Sequence, residues 1–153
     1  MKNNKSANNL AIQDMKMYYN MKIEEYPWIL NEIPSSWVIF LYWQIGMWKT
    51  TLSQMILTQF LDAWTSITSP TYTYYNVYKN HHYHFDLYRL TDYEQFVQIG
   101  WEEIVSNNQH GIILIEWPEL IEAVIKPDMS IHIYPWDTLD TRNIKLTTLQ
   151  YPS

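Results

Sequence analysis

The sequence predicts an α/β domain built around a central mixed sheet. Its 153 residues correspond to one domain, since single cores of roughly 150 residues are typical. Two continuous apolar runs, at residues 37–43 and 111–117, have the composition of strands buried on both faces. A short loop and an amphipathic segment follow the first run, and this strand, loop and helix order is typical of α/β proteins.

The composition indicates a folded chain and excludes several classes of function. Apolar residues make up 47% of the sequence, too large a share for a disordered chain. The absence of cysteine excludes disulfides, thiolate zinc sites and cysteine nucleophiles. The formal net charge of -6 argues against independent binding of nucleic acid, because such binding depends on a surplus of cations. The sequence contains neither a signal-like start nor a membrane-length apolar run, so we expect a cytoplasmic protein that does not associate with a membrane.

The first 30 residues carry no clear structural pattern. Residues 1–10 are polar and rich in asparagine and lysine, which favours a frayed terminus. Apolar positions are scattered over residues 10–33 and Pro27 interrupts them, so we expect helical pieces there. The organised domain is therefore predicted over residues 31–153, with residues 1–30 as a partly helical N-terminal segment.

Apolar periodicity and turn residues predict the remaining elements. The spacing of Leu52, Met55, Ile56 and Phe60 is that of an amphipathic helix over residues 50–60. Further predictions are strands at 71–78 and 83–87 joined as a hairpin, a short helix at 101–105, and two C-terminal strands carrying Ile131, Ile133, Ile144, Leu146 and Leu149, joined across residues 135–137.

The spacing of Thr91 and Glu94 predicts a capping box. In this arrangement Thr91 accepts a hydrogen bond from the amide of Glu94 and opens a helix toward Val97. Gly100 is expected to end or kink that helix.

The loop before the predicted helix has the spacing of a phosphate-binding loop. That pattern is G-x-x-x-x-G-K-[ST], and Lys49 and Thr50 match its end, but Trp43 and Trp48 occupy its two glycine positions. Backbone N–H groups and the helix dipole of such a loop bind phosphate, with the lysine on the β and γ phosphates and the hydroxyl on Mg²⁺. Tryptophan lacks the conformational freedom of glycine. Two interpretations therefore stay open, a phosphate site and an apolar loop packed into the core.

Three distant segments carry a family resemblance. They are Ser69-Pro70-Thr71-Tyr72-Thr73, Tyr83-His84-Phe85-Asp86-Leu87-Tyr88-Arg89-Leu90 and Leu114-Ile115-Glu116-Trp117-Pro118-Glu119. Together with the loop they resemble the bacterial TsaE (YjeE) family, small ATPases needed for the threonylcarbamoyl modification of tRNA, over about residues 33–149. The resemblance implies a three-layer P-loop NTPase domain with a central mixed, mostly parallel sheet.

The resemblance also implies the residues of an ATP and Mg²⁺ site. The family's loop G-D-L-G-A-G-K-T lies over residues 43–50. The implied nucleotide-binding residues are Gln44, Ile45, Gly46, Met47, Trp48, Lys49, Thr50, Thr51 and Trp117. Thr50 and Glu116 are implied as metal ligands, and Thr71, Asp86 and Glu116 as catalytic residues, with the Thr71 hydroxyl facing the γ phosphate.

The position of Glu116 supports that assignment independently. An acid at the end of an apolar strand, beside the strand that leads into a phosphate loop, points at the crevice where open α/β sheets bind ligands. Thr50 and Glu116 supply the hard oxygen ligands that Mg²⁺ prefers, and Asp86 suits polarising the attacking water or holding the metal through solvent. The structural alternative for Glu116 is a salt-bridged strand end.

Two classes of function follow from the resemblance. The first is an ATPase whose hydrolysis cycles a tRNA-modifying complex, with homologues of TsaB and TsaD as partners and with tRNA contacted only through the complex. The second is a pseudo-ATPase that keeps the fold and the partner-binding surface, because Trp43 and Trp48 replace the loop glycines. A generic P-loop kinase is disfavoured, since such enzymes usually carry arginine-bearing lids and this chain has only Arg89 and Arg142.

Two further clusters leave alternatives open. His81, His82 and His84 could ligate a transition metal, although a solvated hairpin edge is the more usual arrangement. The tyrosines of the predicted hairpin, Tyr72, Tyr74, Tyr75 and Tyr78, resemble a base-stacking surface. The net charge favours a pleated core and interface face for them instead.

Overall fold

The computed structural model describes residues 12–33, 37–43, 49–61, 65–67, 70, 74–79, 81–108, 110–135 and 140–150. The strands are β1 (Ile12–Lys22), β2 (Val38–Tyr42), β3 (Tyr75–Tyr78), β4 (His82–Asp86), β5 (Ile113–Glu116), β6 (Met129–Pro135) and β7 (Thr141–Gln150). The α-helices are α1 (Pro27–Leu30), α2 (Lys49–Thr58), α3 (Tyr93–Gln98) and α4 (Trp101–Asn107), and 3₁₀ turns lie at Ile23–Glu25 and Pro118–Leu120. Within these ranges, no helix combines the length and apolar character needed to cross a bilayer.

The described strands form one seven-stranded sheet in the order β1-β7-β6-β2-β5-β4-β3. The neighbours β6, β2, β5 and β4 run parallel, whereas β3, β7 and β1 pair antiparallel. The predicted α/β class and mixed sheet are therefore confirmed. Parallel and antiparallel pairings are equal in number because β1, which the sequence did not predict, adds an antiparallel pairing at one edge.

Helices cover both faces of the sheet, which makes three layers. Alternate side chains of a strand point to opposite faces. Ile39 and Leu41 of β2 therefore pack in one core cluster with Leu52 and Ile56 of α2. Phe40 points the other way, into a second cluster that includes residues of α3 and α4. The two sides of the sheet thus bury separate cores, and β2 and β5 contribute to both.

The N-terminal segment corrects one prediction. Residues 12–22 form a strand paired with β7, and the helical elements of the described N-terminal residues lie at 23–25 and 27–30. The apolar pattern did not indicate a strand here because Met15 and Met17 are exposed. The apolar residues of β1 therefore do not alternate with polar residues as they would on a strand with one buried face. Backbone pairing with a distant strand decides the structure instead. A bulge near Asn20, whose φ is 55°, is fixed by a 2.9 Å hydrogen bond from its amide to Oδ1 of Asn143.

The helix after the hairpin corrects a second prediction. Asp92, not Thr91, is the N-cap of α3, and its carboxylate accepts from the Gln95 amide at 2.9 Å. The Thr91 amide, one residue before the N-cap, donates to the Gln95 side chain at 3.1 Å, so the contacts at the start of α3 involve Gln95 rather than Glu94. Gly100, with a φ of 84°, separates α3 from α4 as predicted.

The other predicted elements within the described residues are confirmed. They are the strands at β2, β4 and β5, the helices α2 and α4, the β3–β4 hairpin, and the antiparallel pair β6–β7. Residues 71–73, at the start of the predicted hairpin, and residues 136–137, in the predicted C-terminal turn, lie outside the described residues.

Candidate functional site

The carboxyl ends of the parallel strands β2, β5 and β4 and the start of α2 meet at one edge of the sheet. This edge is formed by strand ends and not by an outermost strand. β2 ends at Tyr42, and the chain re-enters the described residues at Lys49, the first residue of α2. Parallel pairing sets Glu116 at the end of β5 beside Leu41 of β2 on one side and beside Asp86 of β4 on the other. The sheet therefore brings two acids and a helix N-terminus together.

Glu116 is the most buried acid of this edge. Its side chain is 1% exposed, and the hydroxyl of Ser53 in α2 donates a hydrogen bond to Oε1. Nε2 of His84 lies 3.1 Å from the same oxygen, at ion-pair distance but without the alignment of a hydrogen bond. Oε2 has no hydrogen-bond partner among the described residues. Because Ser53 lies about one turn after Thr50, the first turn of α2 is held beside Glu116.

The donor set around Glu116 fits a divalent cation. A buried carboxylate oxygen without a partner carries a desolvation cost of several kcal/mol, which a metal ligand bond would offset. Mg²⁺ takes hard oxygen ligands and is usually bound by one or two side chains together with water and phosphate. Oε2 of Glu116 is such an oxygen, and it lies near the start of the helix that carries Thr50.

Asp86 is the more accessible acid of the pair. It is partly exposed, and Oδ1 accepts from the Tyr88 amide at 3.2 Å. The next amide, that of Leu87, donates to the carbonyl of Glu116 at 3.1 Å, so the end of β4 is tied to the end of β5. One acid is thus enclosed by protein and the other faces solvent from the same edge.

Two tryptophans pack beside these acids. Trp117 directly follows Glu116 with a φ of 56°, a conformation that costs a non-glycine residue about 1–3 kcal/mol. Its ring lies edge-on to Trp43 at 6.5 Å between centroids and 5.0 Å from that of Tyr88. Trp43, at the first glycine position of the loop pattern, is 6% exposed and packs into the core on the α2 side.

A family model described as threonylcarbamoyl adenosine biosynthesis protein TsaE matches residues 11–144, most of the chain. The chain belongs to the TsaE family. The match begins one residue before β1, so the unpredicted edge strand lies within the region that this family model covers.

Curated relatives carry the same family name. The "tRNA threonylcarbamoyladenosine biosynthesis protein TsaE" of Haemophilus influenzae is 36% identical over 113 residues, covering 71% of this chain and 68% of the relative. The protein of that name from Rickettsia conorii is 36% identical over 95 residues, or 60% of this chain and 53% of the relative. The protein from Rickettsia felis is 35% identical, with 60% and 54% covered. The matched region thus spans about half the length of these Rickettsia relatives.

A solved structure has the same fold. The crystal structure of Bacillus subtilis YdiB superposes with a TM-score of 0.62 at 23% identity, covering 92% of this chain and 88% of that one. The three-layer architecture predicted from the TsaE resemblance is therefore found in a solved structure as well.

The structure brings some of the predicted site residues together. Asp86, Glu116 and Trp117 lie at one edge of the sheet. Lys49, Thr50 and Thr51 form the first turn of α2 as predicted, and the structure describes their backbone placement only. Residues 44–48 and Thr71 lie outside the described residues, so their predicted roles stay predictions.

The histidine cluster corrects both alternatives drawn from the sequence. His82 and His84 are buried, so the hairpin edge is not solvated there. Nδ1 of His82 accepts from the Ile112 amide at 3.2 Å, whereas His84 faces Glu116. Burial, assisted by the nearby His81 and Lys79, lowers the pKa of His82. The described residues contain no group of three potential ligands arranged for a metal ion.

The tyrosines of the hairpin pack mainly into the cores. The ring of Tyr75 stacks on Phe85 at 5.1 Å, and Tyr78 is 8% exposed. Tyr74 packs partly buried against the α3 and α4 side, and Tyr72 lies outside the described residues. This arrangement favours the core interpretation over a base-stacking surface.

Sequence reasoning did not predict that Ser53 and His84 contact Glu116. Ser53 lies three positions after Thr50, so helical spacing puts both on one face of α2. His84 lies two positions before Asp86, so strand alternation puts both on one face of β4. The spacing was visible in the sequence. Which acid these two side chains would meet depended on the pairing of β4, β5 and α2.

Proposed function

We propose that this chain is a Mg²⁺-dependent P-loop ATPase that supports the threonylcarbamoyl modification of adenosine in tRNA. The observation that carries the proposal is the buried carboxylate of Glu116, held through Ser53 against the helix that begins with Lys49 and Thr50. A strand, a loop, a Lys-Thr helix start and an adjacent strand ending in an acid are the parts of a phosphate-binding site. The names of the curated relatives supply the pathway.

Each residue then has a definable role. The first turn of α2 directs backbone N–H groups at the phosphates, and Lys49 adds a positive charge to them. Thr50 and Glu116 would hold Mg²⁺, which when bound neutralises charge developing on the transferred phosphoryl group. Asp86 would orient the attacking water or accept its proton, and the family resemblance implies that the Thr71 hydroxyl would face the γ phosphate.

The rest of the nucleotide would be held by the loop and by Trp117. Residues 44–48 would offer their backbone amides to the phosphates, and the ring of Trp117 would pack near the nucleotide. The indole Nε1 of Trp117 is buried and has no hydrogen-bond partner among the described residues, which leaves a donor for a ligand.

Membership of the TsaE family supports a choice of partners. Homologues of TsaB and TsaD would bind this chain, and ATP hydrolysis would cycle their complex. The formal net charge of -6 supports an indirect relation to tRNA, since such a chain binds phosphate backbones poorly by itself. A cytoplasmic location agrees with these partners.

A pseudo-ATPase is the second candidate, and the packing of Trp43 favours it. A large indole buried at the first glycine position shows that the start of the loop is part of the core. A second tryptophan at position 48 would stand where the phosphates need close approach to the backbone. In that case the chain keeps the fold and the TsaB and TsaD surface only.

Calorimetric titration of Mg²⁺-ATP separates the two candidates. An ATPase should bind with measurable heat, and its melting temperature should rise with ligand concentration, because binding to the folded state stabilises it. Lys49→Ala should weaken binding by at least about tenfold, since a charge-assisted phosphate contact contributes roughly 1.5–3 kcal/mol. The matched control is Lys22→Ala, an exposed lysine at the end of β1. Absence of heat and of any melting shift at millimolar nucleotide would leave only the pseudo-ATPase.

Substitutions of the two acids should have different effects on nucleotide binding and on hydrolysis. Glu116→Gln should weaken Mg²⁺-dependent nucleotide binding, because it replaces a charged carboxylate ligand with a neutral amide. Asp86→Asn should bind nucleotide like the unsubstituted protein but hydrolyse it about 10²–10⁴ times more slowly. Equal effects of both changes on binding and turnover would contradict these roles.

A further inference from the structure

We propose that Ser53 and His84 are positioning residues that hold Oε1 of Glu116, so that Oε2 is the oxygen presented to the metal. The inference rests on the proposed function and adds to it the residues that orient the metal-binding acid. Neither residue is expected to touch the nucleotide or the metal.

The contacts to the carboxylate are asymmetric. Oε1 accepts the Ser53 hydroxyl and lies 3.1 Å from Nε2 of His84. Oε2 has no hydrogen-bond partner among the described residues, although Glu116 is only 1% exposed. A carboxylate with one oxygen occupied from two directions has little freedom to rotate. Its second oxygen is therefore directed before any ligand arrives.

Burial strengthens this orientation. Ser53 is 1% exposed and His84 is 2% exposed, so water does not compete for either contact. Electrostatic contacts and hydrogen bonds are stronger where the local dielectric constant is low. Partners behind a metal ligand fix its direction and commonly change metal affinity when they are removed.

The two residues come from different elements of the site. Ser53 belongs to α2, which begins at the phosphate loop, and its contact therefore ties that helix to the end of β5. His84 belongs to β4, two residues before Asp86, so one strand positions both the imidazole and the second acid. Glu116 is thus held between α2 and β4, the strand that carries Asp86.

The dependence of nucleotide binding on Mg²⁺ tests the proposal. ATP is titrated by calorimetry first with EDTA and then at a series of Mg²⁺ concentrations. Ser53→Ala should leave binding in EDTA unchanged but raise the Mg²⁺ concentration for half-maximal enhancement by about tenfold, the lower end of the usual effect of losing a partner behind a metal ligand. A purely structural serine would lower the melting temperature without moving the Mg²⁺ requirement.

Substitutions of His84 supply a rescue test. His84→Leu removes the polar contact and should also raise the Mg²⁺ requirement by about tenfold. His84→Gln keeps a donor of similar reach and should return the requirement to within about threefold of the original. If the leucine variant does not fold, His84→Ala, which also removes the polar contact, takes its place with the same expected increase, and an unchanged Mg²⁺ requirement in it would contradict the role of His84.

Buried residues of the same types provide matched controls. Ser130→Ala changes a buried serine of β6 that pairs with Phe40, and His82→Gln changes a buried histidine of β4 that accepts from Ile112. Both should leave the Mg²⁺ requirement unchanged even if the melting temperature falls.

The outcomes distinguish the inference from the proposed function. If Glu116→Gln raises the Mg²⁺ requirement while Ser53→Ala and His84→Leu do not, the positioning role is wrong and the metal role of Glu116 stands. If Glu116→Gln has no effect on the Mg²⁺ requirement, or the unsubstituted protein shows no Mg²⁺-dependent binding, the proposed function itself fails and the positioning role fails with it.

Discussion

The parallel strands β2, β5 and β4 differ from the other wing of the sheet, in which β6, β7 and β1 pair antiparallel with one another. All four residues of β5 are buried, because helices cover both faces of the sheet there. At the far edge of the wing, β1 leaves Met15 and Tyr19 59% and 65% exposed. The parallel strands are thus fixed by side-chain packing, while β1 is fixed by backbone pairing with β7 and by the Asn20 to Asn143 contact.

The difference explains where the candidate site lies. Glu116 and Asp86 end strands whose positions are set from both sides, so their carboxylates can be placed closely relative to α2. A strand with one open edge has more freedom to fray and is a poorer support for such geometry. Two-sided burial therefore marks the part of the sheet suited to positioning chemical groups.

Truncating a side chain in each region should give the largest contrast. Leu114→Ala removes a fully buried side chain of β5 and should lower the free energy of unfolding by about 3–4 kcal/mol, through lost burial and a cavity. Met15→Ala, in the exposed row of β1, should change it by less than about 0.5 kcal/mol. Denaturant unfolding of both variants measures the difference. Similar losses would show that β1 packs against something that covers it in solution.

Replacing glycine by alanine should reveal how closely the β3–β4 hairpin approaches β5. A Cβ at Gly111, just before β5, would overlap the backbone carbonyl of His81, so Gly111→Ala should cost about 2–3 kcal/mol. A Cβ at Gly100 meets nothing within 4 Å, and only its φ of 84° opposes alanine, for about 1 kcal/mol. Thermal unfolding should therefore rank Gly111→Ala as the less stable variant. The reverse order would contradict the close approach of the hairpin to β5.

Acid sensitivity should give the smallest effect, and it arises within the wing. His132 of β6 stacks on Tyr42 at 4.2 Å, and burial together with the nearby Lys145 lowers its pKa. The unfolded chain takes up a proton near pH 6.5 while the folded imidazole resists it, so stability should fall as the pH drops below 6.5. His132→Phe keeps the stacked ring but cannot be protonated. Its free energy of unfolding should fall less between pH 7 and pH 5 than that of the unsubstituted protein.

A second histidine, in the parallel strand β4, should also contribute to the acid sensitivity measured in this experiment. His82 also has a lowered pKa, so some acid sensitivity should persist in the His132→Phe variant. An unchanged pH dependence after the substitution would show that His132 contributes nothing to it.

Local pattern predicted the parallel strands and much of the candidate site. The runs that became β2 and β5 are apolar because both of their faces are buried, and this kind of burial leaves an unambiguous signal in the sequence. Glu116, Asp86 and Trp117 were proposed as site residues through motif resemblance, and Glu116 also through its position at a strand end. The edge strand β1 was missed because its exposed Met15 and Met17 give no buried stripe.

The sequence by itself determined the α/β class and the order of the elements from β2 onward, because continuous apolar runs and helical spacing depend only on neighbouring residues. The tertiary structure alone decided that β1 would form an edge strand of the sheet and that Trp43 would pack in the core cluster on the α2 side. It also decided that Ser53 and His84 would meet on one oxygen of Glu116. Those outcomes depend on the pairing of elements far apart in the chain, which local periodicity does not encode.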